Sequence, residues 1–309
     1  MVRGIELDAL EVPKISRIRN YKKSIDAIKH YLFLIPSLLL VGTFLIYPAI
    51  RTFIISFTEW NGVTRPIWIG FQNFYKLFTY PVFRTSLINT TYWGILTLTL
   101  PVIIALLLAL IINRASGGGL FKILIFLPYS LSAVAVGIVW SYMYKNVGAI
   151  NEILRLIGFE NFTHIWIQEV PLNTFAIINA YVWRMVGINL VLFLIGLQNL
   201  PVEPMEAAKL EGASQWRINM NIIIPMLSQT TTVVVVMAFI NGLNAFDIIW
   251  VMTMGGPYRS TETLAVTMFR ESFIHFNFGG GAAASVFLSI IIFAAAIFYF
   301  RVLFKDEHN

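Results

Sequence analysis

The chain has 309 residues, of which 58% are hydrophobic and 12% charged, with 25 Phe, 8 Trp and a net charge of +6. A soluble domain carries about 25% charged residues, so this composition points to lipid as the solvent. The absence of cysteine excludes disulfides and thiolate metal sites. The scattered histidines His30, His164, His275 and His308 form no H-E-x-x-H pattern, and in a membrane protein basic residues report orientation rather than nucleic acid.

Residues 1–30 are polar and mixed in charge, without the early apolar core and small-residue cleavage site of a signal peptide. They read as a retained cytoplasmic tail, either in part an amphipathic helix or a disordered basic segment. Six stretches then approach the roughly 20 mostly apolar residues that a spanning helix needs. They are Tyr31–Ile50, Tyr92–Ile112, Ile123–Tyr144 with Pro128 inside it, Thr174–Leu197 interrupted by Arg184, Met226–Trp250, and Ala282–Phe304. Internal prolines such as Pro36, Pro101 and Pro128 are compatible with spans, because neighbouring helices satisfy the freed backbone groups. The expected fold class is all-α, a polytopic integral membrane protein of six transmembrane helices. Residues 1–30 and 306–309 are tails, 31–85 hold the first span and an outer loop, and 86–305 form a core of five spans.

Six spans put both termini on one side of the membrane. Thirteen Lys and Arg residues fall on that side and eight on the other, so the positive-inside rule places the termini in the cytoplasm. The tail supplies the whole of this bias. The outer loops are long. "FTEWNGVTRPIWIGFQNFYKLF" is rich in Trp and Phe, as an interfacial segment should be. "NVGAINEILRLIGF" has an amphipathic helical pattern too short to span. In "TMGGPYRSTETLAVTMFRESF", Gly-Gly-Pro reads as a turn and Ser260 or Thr261 as the N-cap of a short helix. Simple packing at the membrane surface accounts for all three loops equally.

Several chemistries have no bearer. The chain contains no G-x-x-x-x-G-K-[ST] phosphate loop and no G-x-S-x-G, and no cluster of acids and bases suited to hydrolysis. Active transport would have to draw its energy from a partner or an ion gradient.

One polar segment interrupts the apolar pattern between the fourth and fifth spans: "EAAKLEGASQWRINMNIIIPML", Glu206 to Leu227. Pro201 and Pro204 suit the first turn of a helix, and Glu203 and Glu206 near that end favour its dipole. Ala207 and Ala208 are strong helix formers. Gly212 can end the helix in a left-handed conformation, and Ser214 can cap a second helix running towards Pro225. A short helix, a turn and another helix along the cytoplasmic face result. The adjacent alanines leave a shallow side that another surface could approach. On the residues alone, a plain hairpin bridging two spans and a docking site both fit.

"EAAKLEGASQWRINMNIIIP" resembles the cytoplasmic loop of the permease subunits of ABC importers: E-A-A, three residues, G, nine residues, I-x-L-P. Glu206, Ala207, Ala208, Gly212, Ile222 and Pro225 match; Ile224 stands where the family has Leu, and Glu211 where it often has Asp. Other segments resemble the carbohydrate, maltose-type branch of that family. They include "SFTEWNG", "IGFQNFYKLF", "LINTTYW", "LFKILIFLPYSLSAVAVGIVWSYMYKNVGAIN" and the T-x-G-G-P loop in "TMGGPYRSTETL". The resemblance covers roughly Tyr31 to Lys305. The maltose subunit itself has additional spans and a large outer insertion that this chain lacks.

The resemblance implies a permease subunit of a binding-protein-dependent importer in the bacterial or archaeal cytoplasmic membrane. This subunit would be no enzyme and would bind no cofactor; ATP and Mg would sit on two partner ATPase subunits. A second permease subunit, usually a different chain, and an extracytoplasmic sugar-binding protein would complete the assembly. Glu206, Ala207, Ala208, Gly212 and Pro225 would form the coupling helix and turn that meet the ATPase. The cargo would be an oligosaccharide or glycoside, with a polyol phosphate as the alternative. For the substrate path, Trp183 and Asn189 in the fourth span and Asn241 and Asn244 in the fifth supply the amides and aromatic faces that bind sugars. Asn241, Asn244 and Asp247, three residues apart, would lie within about 120° of one helix face. Arg184 and Asp247 differ in depth by about 12 Å at the rise of a helix, which disfavours a direct pair. Polar residues that hold helices together look the same in sequence, and a membrane scaffold with a cytoplasmic docking hairpin remains the reading outside transport.

Overall fold

The computed structural model describes residues 34–113, 119–243 and 245–305. The readings of the tails 1–30 and 306–309, and of Asn244, lie outside the described residues. The chain divides into two compact units after Ile54. The described part of the first belongs to one apolar helix, α1, Leu34–Ile55, which contains a wider π turn at Gly42–Ile46.

The larger unit begins with a hairpin of two very short strands, β1 (Thr58–Glu59) and β2 (Ile67–Trp68), antiparallel with Thr58 opposite Trp68. Asn61 tightens its turn by accepting from the Val63 and Thr64 amides at 3.1 and 2.9 Å. Helix α2 (Gln72–Thr79) follows, and its buried Asn73 donates to the Ser56 and Thr58 carbonyls at 2.9 and 2.8 Å. The aromatic-rich loop therefore folds on an internal amide anchor, with Phe57, Trp68, Phe71 and Phe74 clustered around it.

Helix α3 (Pro81–Ile112) starts on a proline at its first position and passes through Pro101 without a break. Its apolar residues surround the axis, with Trp93, Ala105 and Ala109 buried and Ile95, Ile103 and Ile111 exposed. A helix greasy on every side belongs in a membrane or a large core. Helix α4 (Gly119–Ser130) and helix α5 (Ala133–Met143) meet at a 100° bend. The stretch Ile123–Tyr144 is thus two helices and not one straight span. Ser132 starts the second by accepting the Ala135 amide at 3.1 Å, so its cap competes with continuation of the first.

Helix α6 (Ala149–Leu156) is the amphipathic piece expected between spans. Its fully buried Asn151 accepts from Trp166 Nε1 at 2.8 Å and donates to the His164 carbonyl at 2.9 Å, closing the loop that leads to α7 (Leu172–Gln198). Helices α3 and α7 run in the same direction, since Asn89 meets Thr174 and, further along both, the Trp93 ring packs edge-on against Tyr181 at 5.3 Å. A Cβ on Gly187 would meet the Ile125 carbonyl at 2.6 Å, so the absent side chain is what lets α4 cross α7 so closely.

After α7 come helix α8 (Glu203–Leu210), the turn at Gly212, helix α9 (Gln215–Met226) and helix α10 (Ser228–Leu243), with a 69° bend between α9 and α10. Helix α11 (Asp247–Thr253) is separate. The fifth expected span, Met226–Trp250, therefore ends at Leu243 rather than running on through Trp250. Asn241 and Asp247 lie on different helices, which removes the single polar face expected for them. Short helix α12 (Leu264–Phe269) and α13 (Phe278–Lys305) complete the chain. The cap expected from Ser260 or Thr261 comes instead from another helix: the Leu264 amide donates to Thr90 Oγ1 of α3 at 2.9 Å. The main core joins α3, α5, α7, α10 and α11 through residues such as Trp93, Val136, Ile177, Phe193, Val234 and Ile249. Among the described residues, four helices are long and apolar enough to cross a membrane, or six if each bent pair is one span.

Candidate functional site

At the end where α7 terminates, the polar segment takes the local form that its residues favour. Pro204 occupies the first turn of α8, with Glu203 and Glu206 in that turn and Lys209 in the last. Gly212 has φ +79°, a left-handed conformation that costs L residues about 1–2 kcal/mol. Ser214 caps α9 by accepting the Arg217 amide at 3.4 Å. Glu206, Ala207, Gly212 and Pro225 are exposed and Ala208 half-buried, while Ile218 and Ile223 anchor the segment in the core. The result is an exposed helix and turn with a small-residue edge, held by apolar residues behind it.

A cavity of about 280 Å³ lies between the two interrupted spans, walled by Tyr129, Ala133, Tyr181, Arg184, Met185, Ile240, Asn241, Ala245, Phe246, Asp247 and Ile248. Backbone without helical structure at Ala245–Phe246 forms part of the wall. Such backbone is tolerated at membrane depth where it lines a cavity or lies within protein. Arg184 reaches across to the other interruption. Its Nε donates to the Leu131 carbonyl at 3.1 Å, and its guanidinium lies 5.4 Å from the centre of the Tyr129 ring. Tyr181 is 6% exposed, and its buried hydroxyl has no hydrogen-bond partner among the described residues. Arg184 and Asp247 share the cavity without an ion pair among the described residues; the depth argument anticipated no direct pair but not the common cavity.

Of the expected path residues, the structure brings Asn241 to this cavity. Asn189 is 1% exposed, in the core of α7, with its Nδ2 unpartnered, and it does not line the cavity. Trp183 points elsewhere, 40% exposed and edge-on to Trp140 at 5.7 Å. The polar wall residues that sequence reasoning passed over are the two tyrosines. Tyr181 and Arg184 stand three residues apart on α7 and so share a face, a signal present in the sequence; Tyr129 carried none, because it meets them through the α4–α5 bend.

At the opposite end, the loop before α12 contains a buried charge cluster. Glu262 is fully buried, ion-paired to Arg259 and 3.4 Å from Arg270 Nε, and its Oε1 accepts from Thr267 Oγ1 at 2.7 Å. Asn89 of α3 donates to the Ser260 and Glu262 carbonyls at 2.7 and 2.9 Å, and Asn173 of α7 donates to Ser260 Oγ at 2.7 Å. Burial pulls the Arg259 guanidinium down, but its hydrogen bond to Glu262 and the Glu262 charge outweigh this and hold it above its ordinary value. The arginine three residues before Glu262 was the available sequence signal; the hydrogen bonds from distant helices had none. Among the described residues, no group of three or more His, Asp or Glu side chains is placed to hold a metal.

Residues 102–305 match the family described as "Binding-protein-dependent transport system inner membrane component". The diacetylchitobiose uptake system permease protein NgcF of Streptomyces coelicolor is 30% identical, covering 91% of this chain and 85% of that protein. The sn-glycerol-3-phosphate transport system permease protein UgpA of Agrobacterium fabrum is 29% identical, covering 90% of this chain and 95% of that protein. A bacterial ABC transporter involved in the import of alginate has the same fold, with a TM-score of 0.81 at 21% identity over 93% of this chain and 99% of that chain. An all-α chain with up to six spans, its two interrupted helices framing a polar cavity, matched to this family over most of its length, belongs to the binding-protein-dependent transport system inner membrane components, the permeases of ABC transporters.

Proposed function

We propose that this chain is the membrane subunit of an ATP-driven importer that takes a sugar from an extracytoplasmic binding protein and passes it to the cytoplasm by alternating access. The observation that carries this reading is the polar cavity between two interrupted spans, because a charged pair is expensive in a membrane unless it faces a cavity or a partner. The names of relatives support a carbohydrate cargo. Arg184 in the wall, with a relative named for glycerol phosphate, supports a second reading, a polyol phosphate.

In this proposal the N- and C-termini are cytoplasmic, and the largely exposed segment Glu203–Arg217 faces two ATPase subunits. Glu206 meets the ATPase surface, Ala207 and Ala208 allow close approach, Gly212 sets the turn and Pro225 begins the return to the membrane. Closure of the ATPases on ATP and Mg then moves the spans through this rigid contact, coupling two sites through one two-state assembly. A second permease subunit completes the path.

Extraction in mild detergent tests the assembly. An ATPase subunit and a second permease are expected to co-purify with the chain; a scaffold would bring neither, and their absence would refute the proposal.

A further inference from the structure

We infer that Asp247 is a charge filter of the cavity, which makes the cargo a net-neutral glycoside and turns away phosphorylated polyols. The inference rests on reading the cavity as the substrate site. The wall holds one cation, Arg184, and one anion, Asp247, with no ion pair between them among the described residues. Arg184 lines the cavity while its Nε donates to the Leu131 carbonyl and one terminal nitrogen lies 4.0 Å from Met185 Sδ. The Asp247 carboxylate is exposed, and no hydrogen bond or ion pair to it is found among the described residues. A ligand in the cavity therefore meets both a cation and an anion.

A phosphate would gain from Arg184 but also feel the Asp247 carboxylate in the same wall, and like charges about 4 Å apart repel by about fivefold in binding, or about 1 kcal/mol, even at the dielectric constant of water and by more where it is lower. A neutral glycoside has the opposite relation to the same pair. Its hydroxyls donate to the carboxylate and accept from the guanidinium, and both are stronger than neutral hydrogen bonds. The remaining wall fits the same chemistry. Asn241 offers an amide that donates and accepts. The Tyr181 side chain lines the cavity, and its hydroxyl is buried without a partner among the described residues, an arrangement that costs stability until something bonds to it. Tyr129 adds an aromatic face. The volume, about 280 Å³, is at the lower end for small-molecule sites, which favours a short glycoside over a long oligosaccharide.

The experiment is equilibrium binding of radiolabelled trehalose, sucrose, diacetylchitobiose and glycerol 3-phosphate to the detergent-purified complete importer, without the binding protein. The wild type should hold at least one of the neutral glycosides, with glycerol 3-phosphate weaker by about tenfold or more. Asp247→Asn should raise glycerol 3-phosphate binding by about tenfold and weaken the glycoside, which loses a charged acceptor, and Asp247→Glu should restore the discrimination. Equal binding of the anion by the wild type, or an unchanged ratio in Asp247→Asn, overturns the filter alone. If no glycoside binds, or if Tyr181→Phe and Asn241→Ala change no probe's binding, the cavity is not the substrate site and the inference falls with that reading.

Discussion

Glu262 is fully buried, and two arginines and a threonine hold its carboxylate there. Removing one partner of a buried ion pair leaves the other uncompensated, at about 3–5 kcal/mol. Glu262→Ala should therefore lower the thermal unfolding midpoint of the purified complex markedly, and it should also loosen α12 from α3, since Asn89 and Thr90 bond to this loop. Arg155 and Glu152 offer the contrast. Both are substantially exposed, and an exposed pair contributes at most about 1 kcal/mol, so Glu152→Ala should leave the midpoint nearly unchanged. Equal effects of the two substitutions would show that the Glu262 cluster is not structural.

At the scale of elements, the turn between α8 and α9 allows a clean separation of folding from coupling. A side chain at Gly212 would meet nothing within 4 Å, and Asp is among the residues that tolerate a left-handed conformation best. Gly212→Asp should assemble normally and yet separate ATP hydrolysis from transport, because it adds a charged side chain to the proposed contact. Reconstituted importer carrying this change and still showing sugar-stimulated hydrolysis and transport at normal rates would end the coupling role. This loop was legible in the sequence because its signals are local: Pro204 at the helix start, Gly212 at the turn, Ser214 at the next cap. The α3 and α7 spans were legible as long apolar runs, α7 despite Arg184 within it. The interruptions in the third and fifth spans were not. Their local signals are short, and polar residues also occur inside spans: Ser132 caps α5, while the Arg184 bond to the Leu131 carbonyl and the cavity wall at Ala245–Phe246 are tertiary and leave no mark in the local pattern. The Asn241 and Asp247 alignment failed with the helix that was to carry it, and the cavity that unites Asp247 with Arg184 required both breaks.

At the scale of the molecule, the two features lie at different places along one packed core. The exposed α8–α9 segment is anchored through Ile218 and Ile223 into the cluster that also holds Ile248 and Ile249 of α11, next to Asp247 of the cavity. Cores packed this way shift between discrete arrangements rather than deforming smoothly, which suits a device that must expose one cavity to alternate sides. The most direct test is uptake of radiolabelled glycosides into proteoliposomes that contain this chain, its partner permease and the ATPases, with the binding protein outside. The account predicts accumulation of a neutral glycoside that requires ATP inside and the binding protein outside, and that is lost in Gly212→Asp with assembly intact. Accumulation without ATP, or none for any glycoside from an importer that assembles fully, would contradict it.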